Sequence, residues 1–137
     1  MKIEYPAKVL LAWAEAVRGN KEIKDWLMAN GYPELGLFVH ALHNQTSARQ
    51  WLMDNGFPHL MAVIRGSEGD ENACLWLRKF ELQAFEHLAR AADNSDKSLL
   101  WLTENNWPEL AVMAGRIRNV KNDIERSNND VHRISAD

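Results

Sequence analysis

The chain has one cysteine, Cys74, among 137 residues, so no internal disulfide can form. Its opening, MKIEYPAKVLL, breaks any apolar signal core with Glu4 and Pro6. Both features give the expectation of a cytoplasmic protein. No run of about 18 apolar residues occurs, so no membrane-spanning helix is expected. Alternating β-branched runs are nearly absent, which points away from sheets. Excess charge is missing too. The formal net charge is −3 and no quarter of the chain is basic, which weighs against nucleic acid, whose binding rests on clustered Lys and Arg. Catalytic signatures are also missing: there is no G-x-S-x-G, no Gly-rich phosphate loop and no H-E-x-x-H. Cys74 lies in an apolar stretch, where a thiol stays neutral and inert. The expectation is a protein that is not an enzyme and needs no cofactor.

Tryptophan, by contrast, is abundant and ordered. Trp26, Trp51, Trp76 and Trp101 stand 25 residues apart, and each precedes a leucine: Leu27, Leu52, Leu77 and Leu102. A fixed period between about 20 and 50 residues marks a repeat array. The units begin at Asn20, Gln45, Asp70 and Ser95, residues that suit a helix N-cap or a polar turn. In the first unit Ile23, Trp26 and Leu27 line one face of a short helix. Asn30-Gly31, Asn55-Gly56 and Asn105-Asn106 then stop the first helices, and Pro33, Pro58 and Pro108 open the second ones. Leu35, Phe38, Val39 and Leu42 give the second helix its own apolar stripe. Unit three reads Phe80-Glu81-Leu82-Gln83 at the turn. Either the turn is built differently there or the first helix runs on, with Phe80 filling the space.

Each unit is thus a pair of helices too short to stand alone in water. Stacking is required, and the Trp and Leu of one unit are expected to pack on the next as continuous core. The expected fold is an all-α solenoid of four 25-residue helix–turn–helix repeats. It spans residues 20–119, with an N-terminal capping helix in 1–19 and a C-terminal cap extension and polar tail in 120–137. Tyr5-Pro6 resembles Tyr32-Pro33, so the first helix reads as an orphan second helix. From about Ser127 the chain is polar and aperiodic, and fraying is expected.

On a helical wheel, the columns opposite the Trp-Leu face read Asp25, Gln50, Leu75, Leu100 and Met28, Met53, Arg78, Thr103. Leu75, Leu99 and Leu100 stand where solvent is expected. Either the chain covers them itself or they form an interaction surface. The candidate partner-binding set is Met28, Gln50, Met53, Leu75, Arg78, Leu100 and Thr103. The partner would be another protein or a second copy of this chain. A weaker alternative is a nucleic-acid face gathered from Arg49, Arg65, Arg78, Lys79, Arg90, Arg116 and Arg118. His40 and His43 have a metal-compatible i, i+3 spacing, but His59 and His87 fall in other columns. Two ligands do not make a zinc site, so no metal is expected.

The segments WLMANGYPEL, WLMDNGFPHL and WLTENNWPEL resemble the helix–turn–helix part of ankyrin repeats. Units of that family run about 33 residues, which leaves no room here for their projecting β-hairpins. The Thr-Pro-Leu-His opening of that family is absent as well. The resemblance implies a right-handed stack and a role in binding other proteins through the helices themselves.

Overall fold

A computed structural model describes the backbone of residues 1–136 and the side chains of residues 1–129. Among the described residues there are nine α-helices and no strand. Four short helices, α2 (Lys21–Ala29), α4 (Thr46–Asp54), α6 (Glu71–Lys79) and α8 (Asp96–Glu104), alternate with α1 (Ala7–Arg18), α3 (Pro33–Leu42), α5 (Pro58–Ser67), α7 (Gln83–Ala92) and α9 (Pro108–Ala136). The sequence signals act locally. Asn20, Asp70 and Ser95 each accept a hydrogen bond from the backbone N–H three residues on, at 3.1, 3.3 and 3.2 Å. Gln45 makes no such cap. Proline opens α3, α5 and α9.

The unit-three turn keeps the geometry of the others. Glu81 takes a left-handed φ of 60°, where Gly31, Gly56 and Asn106 take 93°, 86° and 64°. Helix α6 therefore stops on schedule. Phe80 fills no interior space, contrary to expectation. It is exposed and lies against the Trp76 ring, with centroids 4.6 Å apart. Glutamate in this conformation carries a steric cost that glycine does not. Glu81→Gly is expected to raise stability by about 1 kcal/mol. A urea midpoint equal to or below wild type would refute this.

The odd helices share one buried register. Val9, Leu10, Trp13, Ala14, Ala16 and Val17 of α1 are buried, as are their α3 counterparts from Glu34 to Leu42. Trp13, Phe38, Val63, Leu88 and Met113 occupy one column and are all fully buried. Helix α1 thus buries the same positions as α3, although its Pro6 precedes Pro33 by 27 residues rather than 25.

Packing then bends the array into a ring. Helix α3 lies beside α1 and α5, α7 beside α5 and α9, and α9 packs against α1 more extensively than any other pair. Arg116 of α9 reaches Glu15 of α1 at 3.7 Å. The terminal helices, expected to cap opposite ends of a stack, meet each other instead. Each even helix sits outside the ring against its two sequence neighbours, and no even helix packs extensively on another.

The tryptophan ladder is also corrected. Leu27, Leu52, Leu77 and Leu102 are fully buried, but Trp26 is 46% exposed and the other three ladder tryptophans are only partly buried. The indoles flank the core, and two of them stack on rings of an inner helix or turn: Trp51 on Phe57 and Trp101 on His87. A nine-residue helix wedged between two others buries one narrow stripe, and the leucine occupies its centre. The indole, a step of about 100° away, falls at the edge.

Both ends of the ring are closed by polar groups. At the N-terminal end, residues 1–6 cross the starts of α3 and α5. The Tyr5 hydroxyl donates to the buried Glu34 carboxylate at 2.9 Å, and the Lys2 ammonium lies 3.5 Å from it. His59 Nε2 donates to the Lys2 carbonyl at 2.5 Å, leaving Nδ1 buried without a partner. Burial holds the His59 pKa below its ordinary value, so the ring stays neutral at pH 7. At the other end, Arg49 donates to the Ala41 carbonyl and Arg118 to the Ala91 carbonyl. Lys121 donates to the carbonyls of Ser67 and Ala92. These cations bind carbonyls in the last turns of α3, α5 and α7, where helix ends leave acceptor capacity. The helix expected to end near Ser127 continues to Ala136. Asp137 lies outside the described residues.

Candidate functional site

All seven residues of the expected partner face are exposed. Their surroundings differ. Met28 folds down over α3, where a methyl group on Gly36 would come within 2.3 Å of its Cγ. Met53, Leu75 and Leu100 are 51%, 42% and 56% exposed among the described residues. Gln50 donates to Asp54 at 2.8 Å and Thr103 to the Leu99 carbonyl at 3.2 Å, so both polar groups are used locally.

Arg78 is not a free cation. Its guanidinium grips Glu86 of α7, with Nη2 2.7 Å from Oε2. Arg90 donates to the same carboxylate through Nε at 2.9 Å and forks onto Glu71 with two bonds of 2.8 Å. Burial pushes the Glu86 pKa up, but the hydrogen bonds from Arg78 and Arg90 outweigh it and hold the carboxyl below its ordinary value. The Arg90 pKa is driven up, chiefly by its fork onto Glu71. This network ties α6 to α7.

Between α6 and α8 runs an open groove of about 500 Å³ with α7 as its floor. Arg78, Lys97, Leu100 and Trp101 form its sides, and Glu86, His87 and Arg90 its base. It unites two residues of the expected set, Arg78 and Leu100, and leaves Met28, Gln50, Met53, Leu75 and Thr103 outside. Glu86, His87 and Arg90 stand on a second helix, and Lys97 and Trp101 stand on α8 outside its two outward columns, so none belongs to the expected partner set. One signal was available: the second-helix column Gly36, Met61, Glu86, Ala111 holds a single carboxylate. Such a lone buried charge requires partners.

Chemistry in this groove is limited. His87 Nδ1 lies 3.0 Å from Ser98 Oγ, and its ring stacks on Trp101 with centroids 4.0 Å apart. Ser98 is buried, and among the described residues no carboxylate orients the other ring nitrogen. A nucleophile needs both access and an oriented base. Burial also lowers the His87 pKa. Cys74 is buried, and burial pushes its thiol up. His40 is half-buried and His43 exposed. No group of three or more potential metal ligands occurs among the described residues. A smaller apolar cleft of about 230 Å³ lies between the N-terminal segment and α7, lined by Ile3, Leu10, Phe85, Trp101 and Trp107 among others. It is below the usual range for a small-molecule pocket of about 300–1,000 Å³.

No helix among the described residues is long and apolar enough to cross a membrane. Comparison with protein-family models, curated proteins and solved structures gives no match.

Proposed function

We propose that this chain is a non-catalytic protein–protein interaction scaffold. In this reading it is an ankyrin-like α-solenoid of four 25-residue helical hairpins, right-handed and curled until its end helices meet. Support for the repeat comes from helices that start at Lys21, Thr46, Glu71 and Asp96, and from inner helices that bury matching positions. The scaffold reading is carried by one observation. The ring closes its own core yet leaves Met53, Leu75 and Leu100 bare on separate outer helices. Methionine adapts to varied partners, and exposed apolar surface of this kind marks contact sites. The partner is another protein or a second copy. The cytoplasm is the proposed compartment, in keeping with a lone buried thiol.

A nucleic-acid face has less support. Arg49, Arg78, Arg90, Arg116 and Arg118 each lie within ion-pair distance of a carboxylate: Glu68, Glu86, Glu71, Glu15 and Asp96. Their charge is largely spent within the fold.

The test is Leu75→Asp combined with Leu100→Asp. Both sites are exposed, so the melting curve should not move. Partners cross-linked to the wild type in cell extract should be lost with the variant. Retention of the same partners by a folded variant removes the outer face from the proposal.

A further inference from the structure

Among the described residues, five inner helices make five junctions around the ring, and four outer helices cover four of them. Helix α2 rides over the α1–α3 junction, α4 over α3–α5, α6 over α5–α7 and α8 over α7–α9. The α9–α1 seam has none. The reason lies at Asn119. Its counterparts Asn44, Gly69 and Asn94 take φ of 66°, 99° and 72° and turn the chain back toward the next outer helix. Asn119 stays helical and α9 runs straight on.

Two side chains register the vacancy. Leu11 of α1 shares a column with Gly36, Met61 and Glu86, all buried under the outer helix that precedes them. Leu11 has no preceding outer helix and is 46% exposed. Val112 of α9 shares a column with Ala12, Leu37, Ala62 and His87, none of which is exposed, and His87 lies against α8, the outer helix that follows. Ala62 is 7% exposed and Val112 43%. By this register both fall on the outer side of the α9–α1 seam. Glu15 and Arg116 approach to 3.7 Å across the seam, and Leu11 and Val112 stand one helical turn before each of them. Close packing of α1 on α9 does not exclude an occupant. Helices α5 and α7 also pack extensively, and α6 still sits over their junction.

We propose that the α9–α1 groove docks one short amphipathic helix of another protein, with a leucine seated between Leu11 and Val112. The four outer helices define the occupant: about nine residues, with one fully buried leucine. Glu15 beside the seam is already within ion-pair distance of Arg18 and Arg116, so the match rests on the leucine. The chain's own sequence after Asn119 does not suit the groove. It places Arg126 and Ser127 where the other units place Trp and Leu. This face is distinct from the outer surface carrying Leu75 and Leu100.

The probe is a peptide of residues 20–30 of this chain, NKEIKDWLMAN, held helical by a lactam between Lys21 and Asp25. Titrated into the full-length protein, it should shift the amide resonances around Leu11, Glu15, Val112 and Arg116 and saturate by about 1 mM. Leu11→Asp/Val112→Asp and Leu11→Lys/Val112→Lys should each weaken binding roughly tenfold or more. Leu75→Asp/Leu100→Asp should leave it unchanged, which separates this site from the outer face. Lysine suits a helix and both positions are exposed, so the lysine pair guards against loss of fold. No saturable shift, shifts elsewhere, or equal affinity of either seam variant would overturn the proposal. So would a dimer of the protein alone, seen by sedimentation and dissolved by the seam variants, because the occupant would then be a second copy.

Discussion

Trp13→Ala should lower stability by about 4 kcal/mol and shift the unfolding of the entire chain as one transition. Trp13 is fully buried and meets Phe38 edge-on, with ring centroids 4.9 Å apart. It fills the middle layer of the ring at the helix that closes it. In an open array, damage to a terminal helix frays one end and leaves the far units intact. In a closed ring, α1 also supports α9, so the damage reaches both ends of the chain. The Trp13 Nε1–H is buried without an acceptor. Trp13→Phe removes that orphan donor while keeping most of the ring volume, so it should cost far less than the alanine change. The check is urea unfolding followed by both circular dichroism and tryptophan fluorescence. Two separated transitions for Trp13→Ala, with α4 to α8 surviving the first, would mean that closure carries little stability.

The second large effect concerns the charge network. Arg90→Met should cost about 2 kcal/mol, because the Glu86 carboxylate, only 3% exposed, keeps one of its two cationic partners. Glu86→Met should stay within about 1 kcal/mol of wild type. Met61 already fills the same column in α5 at 2% exposure, and Arg90 retains Glu71 while Arg78 turns to water. The pH dependence follows from the depressed Glu86 pKa. Its contribution is full above the ordinary value of 4.5 and is lost as pH falls through the lower folded value. Wild type should therefore lose stability below pH 4.5 more steeply than Glu86→Met. Parallel stability–pH curves for the two proteins would contradict this.

The same network shows what the linear pattern conceals. A wheel drawn on the first helices placed Met28, Met53, Leu75 and Leu100 outward, and they are outward, because exposure on a short amphipathic helix follows from a rotation of about 100° per residue. Arg78 was placed outward by the same geometry and its side chain is 60% exposed. Its partner Glu86 sits eight residues on, across a turn, where no helical periodicity pairs them. Nor could a wheel foresee that the groove floor would be Glu86, His87 and Arg90, since that depends on how far apart α6 and α8 stand.

What the sequence by itself determined is local. The cap residues, the asparagine and glycine turns and the prolines opening second helices all act within about a dozen residues, and most of the helices begin and end where those signals stand. Tertiary packing alone decided that leucine rather than tryptophan seals each wedge, that α9 passes straight through Asn119, and that α1 meets α9 with one groove left uncovered. The physical reason is accumulation. Closure depends on the sum of small rotations between successive helix pairs, set by the volumes of buried side chains such as Trp13, Phe38, Val63, Leu88 and Met113. A period gives the number of units, but not the angle between them.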